Sequence, residues 1–200
     1  MRTLKPSDAT YQNVKLREGI VRTKIIVAGV DDRFRFDCLR CGDCCSLVPD
    51  VNPREASRMA NYLHISKRDF FREYLTLKED PYYGWHAELD EIGGNCTFYR
   101  KEKGKGNCMV NPVKPWQCRS RPITILDENF DSIKSSKIAV RPCRGMGRGP
   151  ERTVDDWIKK NSIVKSMKYD LEYVNKVLSM KKKMTREQLR TAVTEMFINV

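Results

Sequence analysis

The sequence predicts a small α+β fold with an irregular cysteine-rich centre, short helices, a small hairpin and a C-terminal helical hairpin. Three observations predict it: repeated helix-capping patterns, short β-branched runs that end at glycine or proline, and eight cysteines in 200 residues. The chain is 40% hydrophobic and 32% charged, which suits a folded chain with a modest core.

The helices are predicted by capping residues. Each start has Asn, Ser or Thr followed three residues later by an acidic or amide side chain, which satisfies free backbone N–H groups. The pairs are Asn52 with Glu55, Ser66 with Asp69, Thr153 with Asp156 and Thr185 with Gln188. They predict a helix to about Leu63, a second helix after Ser66, one long helix from Thr153 to about Leu178, and a last helix to about Phe197. The last two form the expected helical hairpin.

The strands are predicted by β-branched or alternating runs. They are Ile20 to Val30, the Phe34 and Phe36 alternation, and Lys137 to Val140. A small hairpin is expected where residues 96–99 and 108–110 flank a glycine-containing turn. Residues 1–19 are expected to be poorly ordered, and residues 79–95 to form a loop. We predict three segments: an N-terminal segment and strand at 1–33, a cysteine domain at 34–150 and the helical hairpin at 151–200.

Hydropathy predicts a cytoplasmic chain. No apolar run reaches the roughly 18 residues that a membrane helix needs, and the first ten residues contain no apolar signal-peptide core. Thiols stay reduced in that compartment, so eight cysteines favour metal ligation over disulfides.

The cysteine spacing is the most specific feature of the sequence. Four cysteines lie within eight residues, in the pattern C-x-x-C-x-x-C-C, and four more follow. Repeated C-x-x-C steps present several sulfurs to one centre, as in iron–sulfur proteins. Adjacent side chains tend to diverge, so the last two cysteines of the motif are expected to serve different centres. The predicted metal ligands are Cys38, Cys41, Cys44, Cys45, Cys96, Cys108, Cys118 and Cys143. An iron–sulfur cluster, of 4Fe–4S type and present once or twice, is preferred, with zinc as the alternative.

These motifs resemble the YkgJ-type CxxCxxCC cysteine-cluster family. The resemblance rests on the first four cysteines with Gly42, on Cys96-x-Phe98, on Pro115-x-x-Cys118-Arg119-x-x-Pro122 and on Cys143 with its glycine-rich tail, and covers about residues 34–150. Where relatives have Arg before Pro115, this chain has Lys114. The family is described as zinc- or iron-chelating, and a flagellin lysine methylase carries a related cluster. The resemblance therefore implies a metal centre that can serve an enzyme.

The remaining predictions concern the surroundings of the thiols. Arg119 and Arg141 are candidates for cofactor binding, because cations near a cluster tune its potential; surface charge is the simpler alternative. Residues 96–150 carry twelve basic and four acidic side chains, net +8, which compensates for thiolate charge or attracts nucleic acid. His86 is a lesser candidate ligand.

The function predicted from the sequence is a cytoplasmic metal-binding protein. Its role is structural, redox or accessory to protein modification, with a protein or redox partner. The alternatives are a cluster-dependent protein-modifying enzyme and a zinc-stabilised RNA- or ribosome-associated protein.

Overall fold

The computed structural model describes residues 1–16, 19–81, 84–126 and 137–199, and within β1 and β2 it places the side chains only as far as residue 14 and from residue 22 onward. The described strands are β1 (Thr10–Leu16), β2 (Gly19–Ala28), β3 (Arg33–Phe36), β4 (Asp50–Val51), β5 (Leu75–Asp80), β6 (Gly84–Leu89), β7 (Glu91–Ile92), β8 (Asn95–Cys96), β9 (Tyr99–Glu102), β10 (Lys105–Cys108), β11 (Ile123–Ile125), β12 (Ile138–Val140) and β13 (Met146–Thr153). The described helices are α1 (Pro53–Leu63), α2 (Lys67–Tyr74), α3 (Trp116–Ser120), α4 (Val154–Lys160), α5 (Ile163–Lys181) and α6 (Arg186–Ile198). Mixed helices and small antiparallel sheets, with a C-terminal helical pair, confirm the α+β class.

The chain divides into two compact units. The first unit comprises Met1–Leu39 with Arg119–Ser166, and the second comprises Arg40–Cys118 with Met167–Val200. Among the described residues, no helix is both long and apolar enough to cross a membrane.

The first unit contains two antiparallel sheets. One has the strand order β1-β2-β12-β11, and the other pairs β13 with β3. Leu4 and Val14 are buried in this unit, and β1 pairs with β2 along its whole length. The expectation of a poorly ordered N-terminus is therefore wrong. Val14 packs with Ile25 and Ala139, so β1 has a buried face although most of its residues are polar.

The second unit is built around an apolar core shared by helices and strands. Met59 of α1, Phe70 of α2 and Phe98 are each 1% exposed or less, as is Phe197 of α6. The Phe71 and Phe197 rings lie 5.7 Å apart, and the Tyr74 and Phe98 rings 4.9 Å. The C-terminal helix thus shares one core with the segment between two cysteines.

Capping predicted the helix starts correctly. Asn52 accepts a hydrogen bond from the Glu55 N–H, and Ser66 accepts one from the Asp69 N–H. Thr153 and Thr185 each form a reciprocal capping box. The single long helix expected after Thr153 is wrong, however. The chain breaks between α4 and α5, where Ser162 adopts a φ of 52° that a helix cannot accommodate.

The expected loop at 79–95 is also wrong, because β5 and β6 form a hairpin there. In β6, Trp85, Ala87 and Leu89 are buried, whereas His86 and Glu88 face the opposite side of the sheet. This is the period-two pattern of a half-buried strand.

Candidate metal centre

The C-x-x-C-x-x-C-C segment is a tight turn held by its own backbone. The Cys45 N–H donates to the Gly42 carbonyl at 2.7 Å, and the Ser46 hydroxyl donates to the Asp43 carbonyl at 2.9 Å. Gly42 has a φ of 87°, and a Cβ there would lie 2.5 Å from the Tyr99 hydroxyl oxygen. Glycine is therefore required for both backbone conformation and space.

The β9–β10 hairpin carries Cys108, and Cys96 lies in β8 just before it. Strands β9 and β10 pair Cys108 with Tyr99, as the sequence predicted for a small hairpin around the glycine turn. Phe98 anchors it in the core, and its carbonyl accepts a hydrogen bond from the Met109 N–H at 3.0 Å. Because Phe98 is buried, it holds in place the backbone segments that carry Cys96 and Cys108.

Two backbone hydrogen bonds join the cysteine turn to this hairpin region. The Gly106 N–H donates to the Arg40 carbonyl at 2.7 Å, and the Cys96 N–H donates to the Cys45 carbonyl at 2.7 Å. A Cβ on Gly106 would lie 2.6 Å from that Arg40 oxygen, so the approach depends on glycine. Residue pairs that lie 51 and 66 positions apart in the sequence are brought together in this way.

Cys118 is positioned by the docking of α3. The Trp116 N–H donates to the buried Glu55 carboxylate at 2.7 Å, and the Trp116 indole N–H donates to Asp170. Asn52, the cap of α1, also donates to Asp170. One short helix is therefore held by carboxylates from α1 and α5.

The thiols of the second unit form an interacting group. The Cys44 and Cys45 side chains form a hydrogen bond that raises the pKa of Cys45. Burial and the nearby thiols of Cys108 and Cys118 raise this pKa further. Burial and the neighbouring thiols of Cys96, Cys108 and Cys44 raise the pKa of Cys118 to about 12. The Cys44 and Cys45 side chains therefore contact each other rather than diverge, and their assignment to different centres stays a prediction.

Backbone N–H groups point at three of the sulfurs. Phe98 donates to Cys96 and Val110 donates to Cys108, and each contact opposes the rise in pKa that burial causes. The Gly145 N–H donates to the Cys143 sulfur at 3.5 Å. In all three cases the donor is two residues after the cysteine. N–H donation to sulfur stabilises a thiolate and tunes a metal bound to it.

The first unit holds Cys38 and Cys143 at the ends of paired strands. Cys38 follows β3 and Cys143 precedes β13, and the Asp37 N–H donates to the Gly145 carbonyl at 3.1 Å. Cys38 and Cys44 are exposed, whereas the other six thiols are partly buried. Strand pairing thus joins two segments that each carry one of these cysteines and are about 105 residues apart in the sequence.

The two candidate arginines also lie in the first unit. Arg119 donates to the Ser166 hydroxyl at 3.1 Å. Arg141 is partly buried, and burial together with Arg121 lowers its pKa. Arg121 lies just before β11 and Arg141 just after β12. The Arg141 N–H donates a hydrogen bond to the Pro122 carbonyl beside these paired strands. The cofactor-binding role of Arg119 and Arg141 stays a prediction.

The donor chemistry fits a thiophilic metal. Clustered, partly buried thiols raise one another's pKa, because neighbouring thiolates repel each other. A bound metal cation offsets that repulsion and binds the sulfurs as thiolates. Within the described part of the chain, three sulfurs nowhere lie within 4.8 Å of one another, whereas Asp50, His86 and Glu88 do bring their ligand atoms within that distance. The sequence indicated His86 only weakly, and it gave no reason to pair it with Asp50.

Thiol-rich turns, N–H donors to sulfur and a small α+β scaffold define the class of cysteine-rich metal-chelating proteins. Residues 37–143 match the family profile described as "CxxCxxCC: Putative zinc- or iron-chelating domain", and the chain belongs to this family. It is also 30% identical over 130 residues to an uncharacterized protein from Methanocaldococcus jannaschii, covering 64% of this chain and 68% of that protein. No solved structure matches the chain significantly.

Proposed function

We propose that this protein is an iron–sulfur protein of the cytoplasm, with the eight cysteines of residues 34–150 as its metal ligands. The observation that carries the proposal is the group of five interacting thiols formed by Cys44, Cys45, Cys96, Cys108 and Cys118. These thiols come from a turn, from β8, from the β9–β10 hairpin and from a short helix, and they influence one another's pKa.

The surroundings of the thiols favour a cluster. Three cysteines have backbone N–H donors two residues further along the chain, and hydrogen bonds to sulfur are a main control of cluster potential. The C-x-x-C-x-x-C spacing resembles cluster-binding runs, and neighbouring thiols such as Cys44 and Cys45 suit a centre with several metal atoms. A bound cluster would supply electron transfer or structural cohesion.

Metal analysis of anaerobically purified protein tests the proposal. We expect iron and acid-labile sulfide in equal amounts, about four of each per cluster, with a broad visible absorbance that bleaches on reduction. Cys108→Ser is expected to lower iron and sulfide together. Met109→Ser is the matched control, because Met109 is the adjacent residue and is 44% exposed. Zinc in place of iron, without sulfide, would overturn the iron–sulfur assignment and leave the family's metal binding intact.

A further inference from the structure

A second group of candidate ligands lies on the three-stranded sheet of the second unit, and it contains no sulfur. The sheet has the order β4-β6-β5. His86 and Glu88 are two residues apart on the central strand, so their side chains leave the same face. Asp50 of β4 is the direct cross-strand partner of Glu88. Strand register alone therefore places three ligand-bearing side chains together.

The side-chain atoms of this group converge. The His86 Nε2 atom lies 3.3 Å from the Glu88 Oε1 atom and 3.6 Å from the Asp50 Oδ1 atom. All three side chains are partly exposed, at 22% for His86, 21% for Glu88 and 31% for Asp50. One imidazole nitrogen thus faces two carboxylate oxygens at a position that solvent can reach.

The charge around this position is negative. The carboxylates of Asp50, Glu88 and Asp80 act on His86, and those of Glu88, Asp50 and Glu91 act on Lys78. Lys78 contacts the Oε2 atom of Glu88, whereas the Oε1 atom faces His86. The lysine therefore contacts one carboxylate oxygen of Glu88, and the other oxygen faces His86 and Asp50.

A cleft borders the group at one of its three members, Glu88. It has a volume of about 470 Å³, and Lys78 and Glu88 form part of its wall together with Ser46, Leu47 and Val48. These last three residues directly follow the Cys44-Cys45 pair. The cleft is large enough to admit hydrated ions and the water molecules that would complete a coordination sphere.

We propose that Asp50, His86 and Glu88 form a binding site for a divalent first-row metal ion, separate in chemistry from the thiols. One imidazole and two carboxylates are a borderline-to-hard donor set, which suits Mn²⁺, Fe²⁺ or Zn²⁺, and water from the cleft fills the remaining positions. The opposite face of β6 is buried in the core through Trp85, Ala87 and Leu89, so the ligands stand on a rigid strand.

Mn²⁺ titration of the full chain, as purified for the metal analysis, tests this site, with binding followed by electron paramagnetic resonance. We expect one saturable Mn²⁺ per chain, with nitrogen modulation from one imidazole in the spin-echo spectrum. His86→Gln should abolish the nitrogen modulation and weaken binding by at least about tenfold. Lys78→Gln should strengthen binding, because it releases the second oxygen of Glu88. Glu91→Gln is the control, because Glu91 contributes charge without belonging to the group.

The outcomes separate this proposal from the iron–sulfur one. Iron and sulfide content should be unchanged in His86→Gln, which also verifies that the variant is folded, and Cys108→Ser should lose iron. Non-saturable Mn²⁺ binding, or equal weakening by His86→Gln and Glu91→Gln, would overturn the site and show only general electrostatic attraction. Failure to find iron would leave the Mn²⁺ result unaffected.

Discussion

The backbone N–H of Cys96 donates a 2.7 Å hydrogen bond to the carbonyl oxygen of Cys45. This bond joins the end of the C-x-x-C-x-x-C-C turn to the strand that leads into the cysteine hairpin. The Gly106 to Arg40 bond joins the start of the same turn to β10. Both bonds join main-chain atoms, so backbone hydrogen bonding holds the two cysteine segments together.

Gly106→Ala should destabilise the cysteine turn. Its Cβ would lie 2.6 Å from the Arg40 carbonyl oxygen and 2.5 Å from the Tyr99 ring, and overpacking of this kind costs about 1–3 kcal/mol. We expect a lower midpoint in urea unfolding and a lower metal content. Gly29→Ala is the control, because the nearest atom to its Cβ lies 3.9 Å away, and its effect should stay within about 0.5 kcal/mol. Equal effects of the two variants would contradict the close approach.

Alkylation of the reduced, metal-free chain should distinguish the thiols. Cys38 is exposed, whereas Cys118 is partly buried with a pKa of about 12. At pH 8 the reactive thiolate is then about 10⁻⁴ of the Cys118 population. Peptide mass spectrometry after timed iodoacetamide treatment should show Cys38 modified well before Cys118. Equal rates would mean that α3 does not hold Cys118 in place without metal.

Metal removal should loosen the cysteine segments before the helices. A structural metal site contributes on the order of 10 kcal/mol to folding, so residues 40–45 and the β9–β10 hairpin should lose amide protection on chelation. Helices α1, α2 and α6 share an apolar core that includes Met59, Phe70 and Phe197, and they should keep protection longer. Hydrogen exchange measures both. Simultaneous loss of protection everywhere would show that the core cannot persist without metal.

The stability of the first unit should depend on Asp32 at acid pH. Burial opposes ionisation of this carboxyl, but hydrogen bonds from the Gly29 and Arg2 N–H groups and from the Arg2 side chain outweigh it, so its pKa lies below the usual value of 3.8. A depressed folded-state pKa contributes stability above about pH 4, and this contribution disappears as the pH falls through the folded value.

The comparison of wild type with Asp32→Asn isolates that contribution. The difference in unfolding free energy should be greatest near neutral pH and should shrink below about pH 4, because both side chains are then uncharged. Urea unfolding at several pH values measures it. A difference that stays constant down to pH 2 would contradict a role for the ionised carboxyl.

Much of this protein follows from short stretches of sequence. Ser66 and Thr185 cap the helices that follow them, because a capping hydroxyl acts within three residues. The C-x-x-C-x-x-C-C run and Gly42 likewise determine a sulfur-bearing turn locally, and the hairpin follows from glycines between two short strands. These features need no knowledge of the rest of the chain.

Only the tertiary structure decides what meets across long separations. Three features depend on segments that are tens of residues apart in the sequence. They are the docking of Trp116 on Glu55 and Asp170, the pairing of Asp37 with Gly145, and the buried face of β1. The convergence of Asp50 on His86 depends on strand register, which is set by burial of Trp85, Ala87 and Leu89 on the opposite face. Local composition predicted a loop at residues 79–95. The alternation of buried and exposed residues in β6 identifies a strand only when its partner strands and its core are known.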